Sequence, residues 1–254
     1  VQVSIDPTIV ATIALASIRI VTFLLIAPPF AGPAVSSRIK IALAVALSLL
    51  TVGDTDLSAA QLDTWGLILS AGYQVLVGGA LGFLVALCFS VVQSAGTLVD
   101  FSAAFSGSVL YDPFAQTGLS PMARLYQVLA TMLLFVSGGA LLFVAGIVRS
   151  FEAAPIEGFS LADFGAVLSD RIGNFMVAAI QIAFPLLMAL FMAELVLGLL
   201  ARAAPQLNLL IVGFGVKSLI VIFLGAVSLP LLPIAVDQIV DVAVRSMGAV
   251  FGGG

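Results

Sequence analysis

Histidine is missing from this chain, and cysteine occurs once, at Cys88. Without histidine the usual general base and the commonest metal ligand are gone. Neither a Ser-His nucleophile nor a metal-His centre can be assembled from these residues alone. No enzyme, metal or cofactor is therefore expected. A lone cysteine excludes an internal disulfide, and Cys88, set in an apolar run, reads as a small buried hydrophobe. Charge is also scarce: 9% of the 254 residues are charged, against about 25% in soluble domains. The 9 basic residues are scattered and outnumbered by 13 acidic ones, for a net charge of −4. That leaves no basic patch for nucleic acid.

What fills the chain instead is apolar. Hydrophobic residues make up 62% and the mean hydropathy is +1.27. The expectation is an all-α, membrane-associated protein built from long apolar helices, kinked and broken in places, in contact with lipid. Asp6-Pro7 supplies a cap and a first-turn proline for a helix over 8–30, apolar except for Arg19. Residues 41–53 are short against the roughly 20 residues a spanning helix needs. Residues 64–99 carry no charge and predict one very long helix or two with a bend. Further helices are expected over 125–148, over 172–201 with a kink at Pro185, and over 207–236. Ser58 to Gln61 and Ser160 to Asp163 have the form of capping boxes. Residues 237–248 alternate as an amphipathic turn or two, with Val240, Val244 and Met247 opposite Asp237, Asp241 and Arg245.

The polar residues kept inside the apolar runs are the candidates for function. Glu194, Arg202, Gln206, Asn208 and Lys217 stand within one such run, interrupted by Pro205. A charge at the bilayer centre costs roughly 2.5–3.5 kcal/mol on insertion scales, so protein or water is expected around them. Glu194, Gly198 and Arg202 fall at i, i+4 and i+8, along one helix stripe. Their charged ends are about 12 Å apart, too far to pair with each other. Each needs a partner from another segment or another chain, and Gly198 lets a partner backbone approach. Pro205 predicts a helix break near 203–206, with Gln206 and Asn208 bonding the freed carbonyls. Arg19 either snorkels to an interface or pairs inside an assembly.

Two more features stand out. Gly78, Gly82, Ala86, Ser90 and Ser94 recur every four residues, a ridge that lets helices pack closely. It serves packing within the chain, contact between subunits, or both. Phe105, Gly107, Tyr111, Asp112, Pro113 and Phe114 form an irregular apolar loop between two helices of membrane grade. Such a loop must be covered by protein or line a cavity, unless it is an ordinary interhelical turn.

The run Leu-Gly-Leu-Leu-Ala-Arg-Ala-Ala-Pro-Gln-Leu-Asn at 197–208, followed by Val-Gly-Phe-Gly-Val-Lys at 212–217, resembles the C-terminal signature of the FliR family. These are R subunits of the flagellar type III export gate, related to SpaR and YscT. Arg19 with Pro28 to Phe30, Asp112-Pro113, and Ser150-Phe151 with Pro155 extend the likeness over nearly the whole chain. Three positions depart from it: Gly215 replaces a proline, Gln74 a glutamate, and Ala140 the histidine of a Gly-His pair. At Gln74 a neutral hydrogen bond is expected in place of an ion pair.

The resemblance implies a multi-subunit helical export gate in the inner membrane of the flagellar basal body. Its partners would be P-type and Q-type subunits, other membrane proteins of the export apparatus, and the unfolded flagellar proteins it passes. Residues 1–170 would be the P-like part, with a plug formed near 105–121, and 171–254 a Q-like hairpin. Two alternatives remain at this stage. One is the homologous subunit of a virulence-type secretion apparatus. The other is a proton-coupled transporter using Asp100, Asp112 and Glu194 as a relay, although no internal repeat supports it.

Overall fold

The computed structural model describes residues 7–32, 35–51, 63–103, 120–153, 161–204, 206, 208–228 and 232–249. All regular structure among them is α-helical. Helix α1, Pro7–Ile26, opens on its proline and has 20 residues, which makes it about as long as a hydrocarbon core is thick. Helix α2, Pro28–Ala31, is one turn with prolines in its first positions, where a missing N–H costs no helical bond. Helix α3, Ser37–Ser48, packs on α1. Ser17 Oγ donates to Ser48 Oγ at 3.1 Å across that contact. Lys40 is buried, and its Nζ donates to the Ala31 carbonyl at the end of α2, 3.2 Å away. An orphan carbonyl at a helix end is met this way.

Helix α4, Thr64–Ser102, is a single helix of 39 residues, which settles the choice over 64–99. The expected helix over 125–148 is a correction: it is two helices, α5 over Pro121–Val136 and α6 over Gly139–Ala153. Gly138 between them has φ +77°, a left-handed conformation that glycine adopts without the steric cost of a Cβ.

Helix α7, Leu161–Ala203, runs 43 residues without interruption at Pro185. The helix is continuous through Pro185, where the sequence predicts a kink: the proline removes one backbone bond but does not end the helix, a tolerance usual in apolar helices. Helix α8 covers Leu209–Ser228 and α9 covers Leu232–Ala249. Pro233 lies in the first turn of α9 instead of closing a helix over 207–236. Along α9, Val236, Val240, Ala243 and Met247 are buried while Asp237, Asp241 and Arg245 are exposed.

Among the described residues three helices are long and apolar enough to cross a membrane: Thr8–Ile26, Thr64–Ser102 and Phe164–Ala203. The chain divides into two compact units that interleave along the sequence. The first holds residues 1–88, 137–171 and 240–254, with Ile20, Phe23, Leu81, Phe143 and Phe151 among its buried side chains. The second holds 89–136 and 172–239, with Val92, Val99, Leu134, Leu186 and Leu190 buried.

Candidate functional site

In the first unit the polar chemistry is sealed. Gly78 brings the backbone of α4 against that of α1: a Cβ there would sit 2.2 Å from the Arg19 carbonyl oxygen. A Cβ on Gly82 would meet Ile26 at 3.0 Å and the Phe23 carbonyl at 3.2 Å. One turn before Gly78, Gln74 then reaches the Arg19 side chain. Arg19 Nε donates to Gln74 Oε1 at 2.6 Å. Its Nη1 donates to the Ser150 carbonyl at 3.0 Å and to Ser150 Oγ at 3.2 Å. Ser150 Oγ is free to accept because its own proton goes to the Ile147 carbonyl. The guanidinium carbon lies 4.1 Å from the centre of the Phe151 ring, in cation–π range. Arg19, Gln74, Ser150 and Phe151 are all buried.

Arg19 therefore neither snorkels nor waits for another subunit. It joins α1, α4 and α6 of its own chain, and Gln74 provides the neutral bond anticipated for it. Gly78 and Gly82 likewise serve packing within the chain, one of the two uses expected of the ridge. Ala86 is half-buried and Ser90 exposed. Gly78→Ala is expected to push α1 away from α4, at the upper end of the roughly 1–3 kcal/mol typical of overpacking. Thermal unfolding of the solubilised protein checks it; an unchanged midpoint contradicts the close contact.

The second unit holds a carboxylate that the sequence offered only as part of a relay. Asp100, buried near the end of α4, caps the start of α5. Its carboxylate accepts from the Met122 N–H at 2.9 Å, the Ala123 N–H at 3.0 Å and the Ser120 hydroxyl. These are the second and third helical N–H groups, orphans of any helix start. Gly96, one turn earlier, admits this contact: a Cβ there would lie 2.6 Å from the Ala123 Cα. The signal was available in Ser120-Pro121, a cap and first-turn proline. A carboxylate arriving from 20 residues upstream has no local pattern.

Also in the second unit, α7 and α8 run antiparallel. Glu194 meets Lys217, and Leu197 meets Gly213, so the residues count down on one helix as they count up on the other. Lys217 Nζ lies 3.3 Å from Glu194 Oε1. Glu194 has thus found its partner on another segment of the same chain, one of the two sources expected for it. The pair borders an open groove of about 390 Å³ lined by Phe101, Ser102, Leu187, Leu190 and Phe191. Arg202, Gln206 and Asn208 are exposed, and Arg202 makes no hydrogen bond or ion pair among the described residues. Asn208 offers its backbone carbonyl to Ile211 and Val212 at the start of α8; among the described residues its side chain bonds no freed carbonyl. Among the described residues nothing lies within 4 Å of a Cβ built on Gly198. Helix α7 ends at Ala203 and α8 begins at Leu209; Pro205 between them lies outside the described residues. So do Phe105, Gly107, Tyr111, Asp112, Pro113 and Phe114.

Helices of spanning length, a buried cation satisfied by neutral groups, and a hairpin with an ion pair among apolar side chains define an all-α integral membrane protein. The chain belongs to the bacterial export proteins, family 1, whose model matches residues 10–243. It is similar to flagellar biosynthetic protein FliR of Pectobacterium carotovorum subsp. carotovorum, 28% identical over 221 residues, 85% of this chain and 83% of the relative. It is similar to FliR of Bacillus subtilis (strain 168), 27% identical over 237 residues, 91% of this chain and 90% of the relative. Yop proteins translocation protein T of Yersinia pestis is 31% identical over 168 residues, 63% of this chain and 62% of the relative.

Proposed function

We propose that this chain is a structural and gating subunit of the flagellar type III protein-export channel, placed in the inner membrane at the flagellar basal body. It passes unfolded flagellar proteins and performs no catalysis. The observation that carries the flagellar reading is the extent of the likeness. The two flagellar relatives align with 85% and 91% of this chain. The higher identity to the translocation protein, 31%, favours the virulence-type reading, but it is confined to 63% of the chain.

P-type and Q-type subunits and other export-apparatus membrane proteins are the proposed partners. Residues 1–170 form the P-like part and 171–254 the Q-like part. Support for the latter is the antiparallel α7–α8 pairing, with Ile211, Leu219, Ile222 and Phe223 of α8 each about two-thirds exposed or more. Apolar surface of that extent on a polypeptide with so few charges suits burial against lipid or other helices.

Deleting the gene in its host is expected to abolish secretion of filament protein while leaving other secretion intact. Secretion of a virulence effector lost instead, with normal flagella, sinks the flagellar reading. The loop at 105–121 is proposed as the plug. Shortening it is expected to make membranes leak small ions while the complex still assembles; an assembled, ion-tight variant overturns the plug.

A further inference from the structure

The stripe Glu194, Gly198, Arg202 on α7 restricts which helix can lie on it. Both charges stand within or at the end of a 40-residue apolar span, Phe164–Ala203. The internal pair is lopsided: the Lys217 side chain is 14% exposed and the Glu194 side chain 67%. Lys217 is spent inward on Oε1, and the outward face of the pair is carboxylate. Eight residues on, about 12 Å along the helix, Arg202 presents the opposite sign to the same surroundings. Gly198, between them, has open space above its Cα. The surface therefore reads, along one line, as anion, close-approach point, cation.

A second copy of this chain does not fit. The arrangement that matches the pattern to itself is antiparallel, setting Glu194 on the other copy's Arg202 and Gly198 on Gly198. Copies inserted in one membrane share one orientation, fixed by their loops, so that pairing is closed to them. Parallel copies related by a two-fold axis set like charge on like charge, which costs several kcal/mol in an interface. A parallel copy slid by eight residues matches one pair, leaves one Glu194 and one Arg202 bare, and does not close.

We infer that the Glu194–Gly198–Arg202 stripe of α7 is a docking site for an apolar helix of a different polypeptide, carrying a cation opposite Glu194 and a carboxylate opposite Arg202. The two partner charges stand about eight residues apart, with a small residue between them where the backbones cross. Along the partner's sequence the cation comes first if that helix runs parallel to α7, and the carboxylate first if it runs antiparallel. This inference rests on the export-subunit reading and specifies the chemistry of one partner.

The test uses the full chain expressed with the rest of its apparatus. The double variant Glu194→Lys with Lys217→Glu keeps the internal pair and reverses the outward sign. It is expected to leave the amount of chain in the membrane unchanged and to lower the recovered partner about tenfold or more. A swap that restores full recovery, after either single change has lowered it, shows that Glu194 serves Lys217 alone and overturns the inference. A Cβ added at Gly198 has nothing within 4 Å among the described residues, and Gly198→Leu is expected to give the same loss of partner at normal chain levels. Normal partner recovery with Gly198→Leu overturns the close approach. A photo-crosslinker at Leu199 is expected to capture a helix bearing the reversed charges. Capture of a second copy of this chain, or of lipid only, refutes the site while leaving the export reading intact. A wild-type chain recovered without any partner sinks both.

Discussion

Gln74→Leu is expected to destabilise the protein by about 2–4 kcal/mol, a large share of the roughly 5–15 kcal/mol by which folded proteins are stable. The change removes the acceptor of the 2.6 Å bond from Arg19 Nε and leaves a guanidinium in an apolar interior with that N–H unmet. Water cannot substitute there, since Arg19 and Gln74 are both buried. Leucine is close in size to glutamine, so the loss isolates the bond from the packing. The control is Gln74→Glu, which gives the cation a carboxylate and restores the residue the resembling family carries. It is expected to lie within about 1 kcal/mol of the parent, because charge pairing and the desolvation of a second ion roughly offset. Denaturant unfolding of the purified protein, or resistance to protease in membranes, reads both. Equal stability of the leucine variant and the parent would show that Arg19 is not held by Gln74.

The second large effect is expected at Asp100. Asp100→Ala strips the start of α5 of its cap, leaving the N–H groups of Met122 and Ala123 and the Ser120 hydroxyl without their acceptor. A cap is worth about 1 kcal/mol at a surface, and each buried orphan about 1–3 kcal/mol. A loss of about 2–3 kcal/mol follows, read as in the first case. Asp100→Asn keeps one acceptor oxygen of the same shape and is expected to lose less than half as much. If alanine and asparagine behave alike and neither destabilises, the carboxylate is not the cap.

The sequence disclosed these features unevenly, for physical reasons. Helices were legible from their apolar runs because a membrane protein cannot leave backbone groups unpaired. Their ends were less so. Gly138 ends α5 through a left-handed φ, which the pair Gly138-Gly139 does not by itself announce. Pro185 stays within α7 because one absent bond in 43 residues is a small perturbation. At the site, Glu194 and Arg202 were visible as misplaced charges, and only the antiparallel course of α7 and α8 brings Lys217 to Glu194. The setting of Arg19 was half legible: the resemblance flagged Gln74, but Ser150 lies 131 residues away and only folding brings it near. Asp100 was weighed as a relay carboxylate, since a cap supplied from another helix leaves no local spacing to recognise.

The account holds that α1, α4 and α6 satisfy their own buried cation, whereas the α7–α8 hairpin is finished by other polypeptides. Native mass measurement of the tagged chain, released from its own membranes in mild detergent, addresses that most directly. The predicted result is a particle far heavier than the 26.1 kDa of the chain, containing different polypeptides in fixed ratio. A folded species of 26.1 kDa carrying only lipid would contradict it.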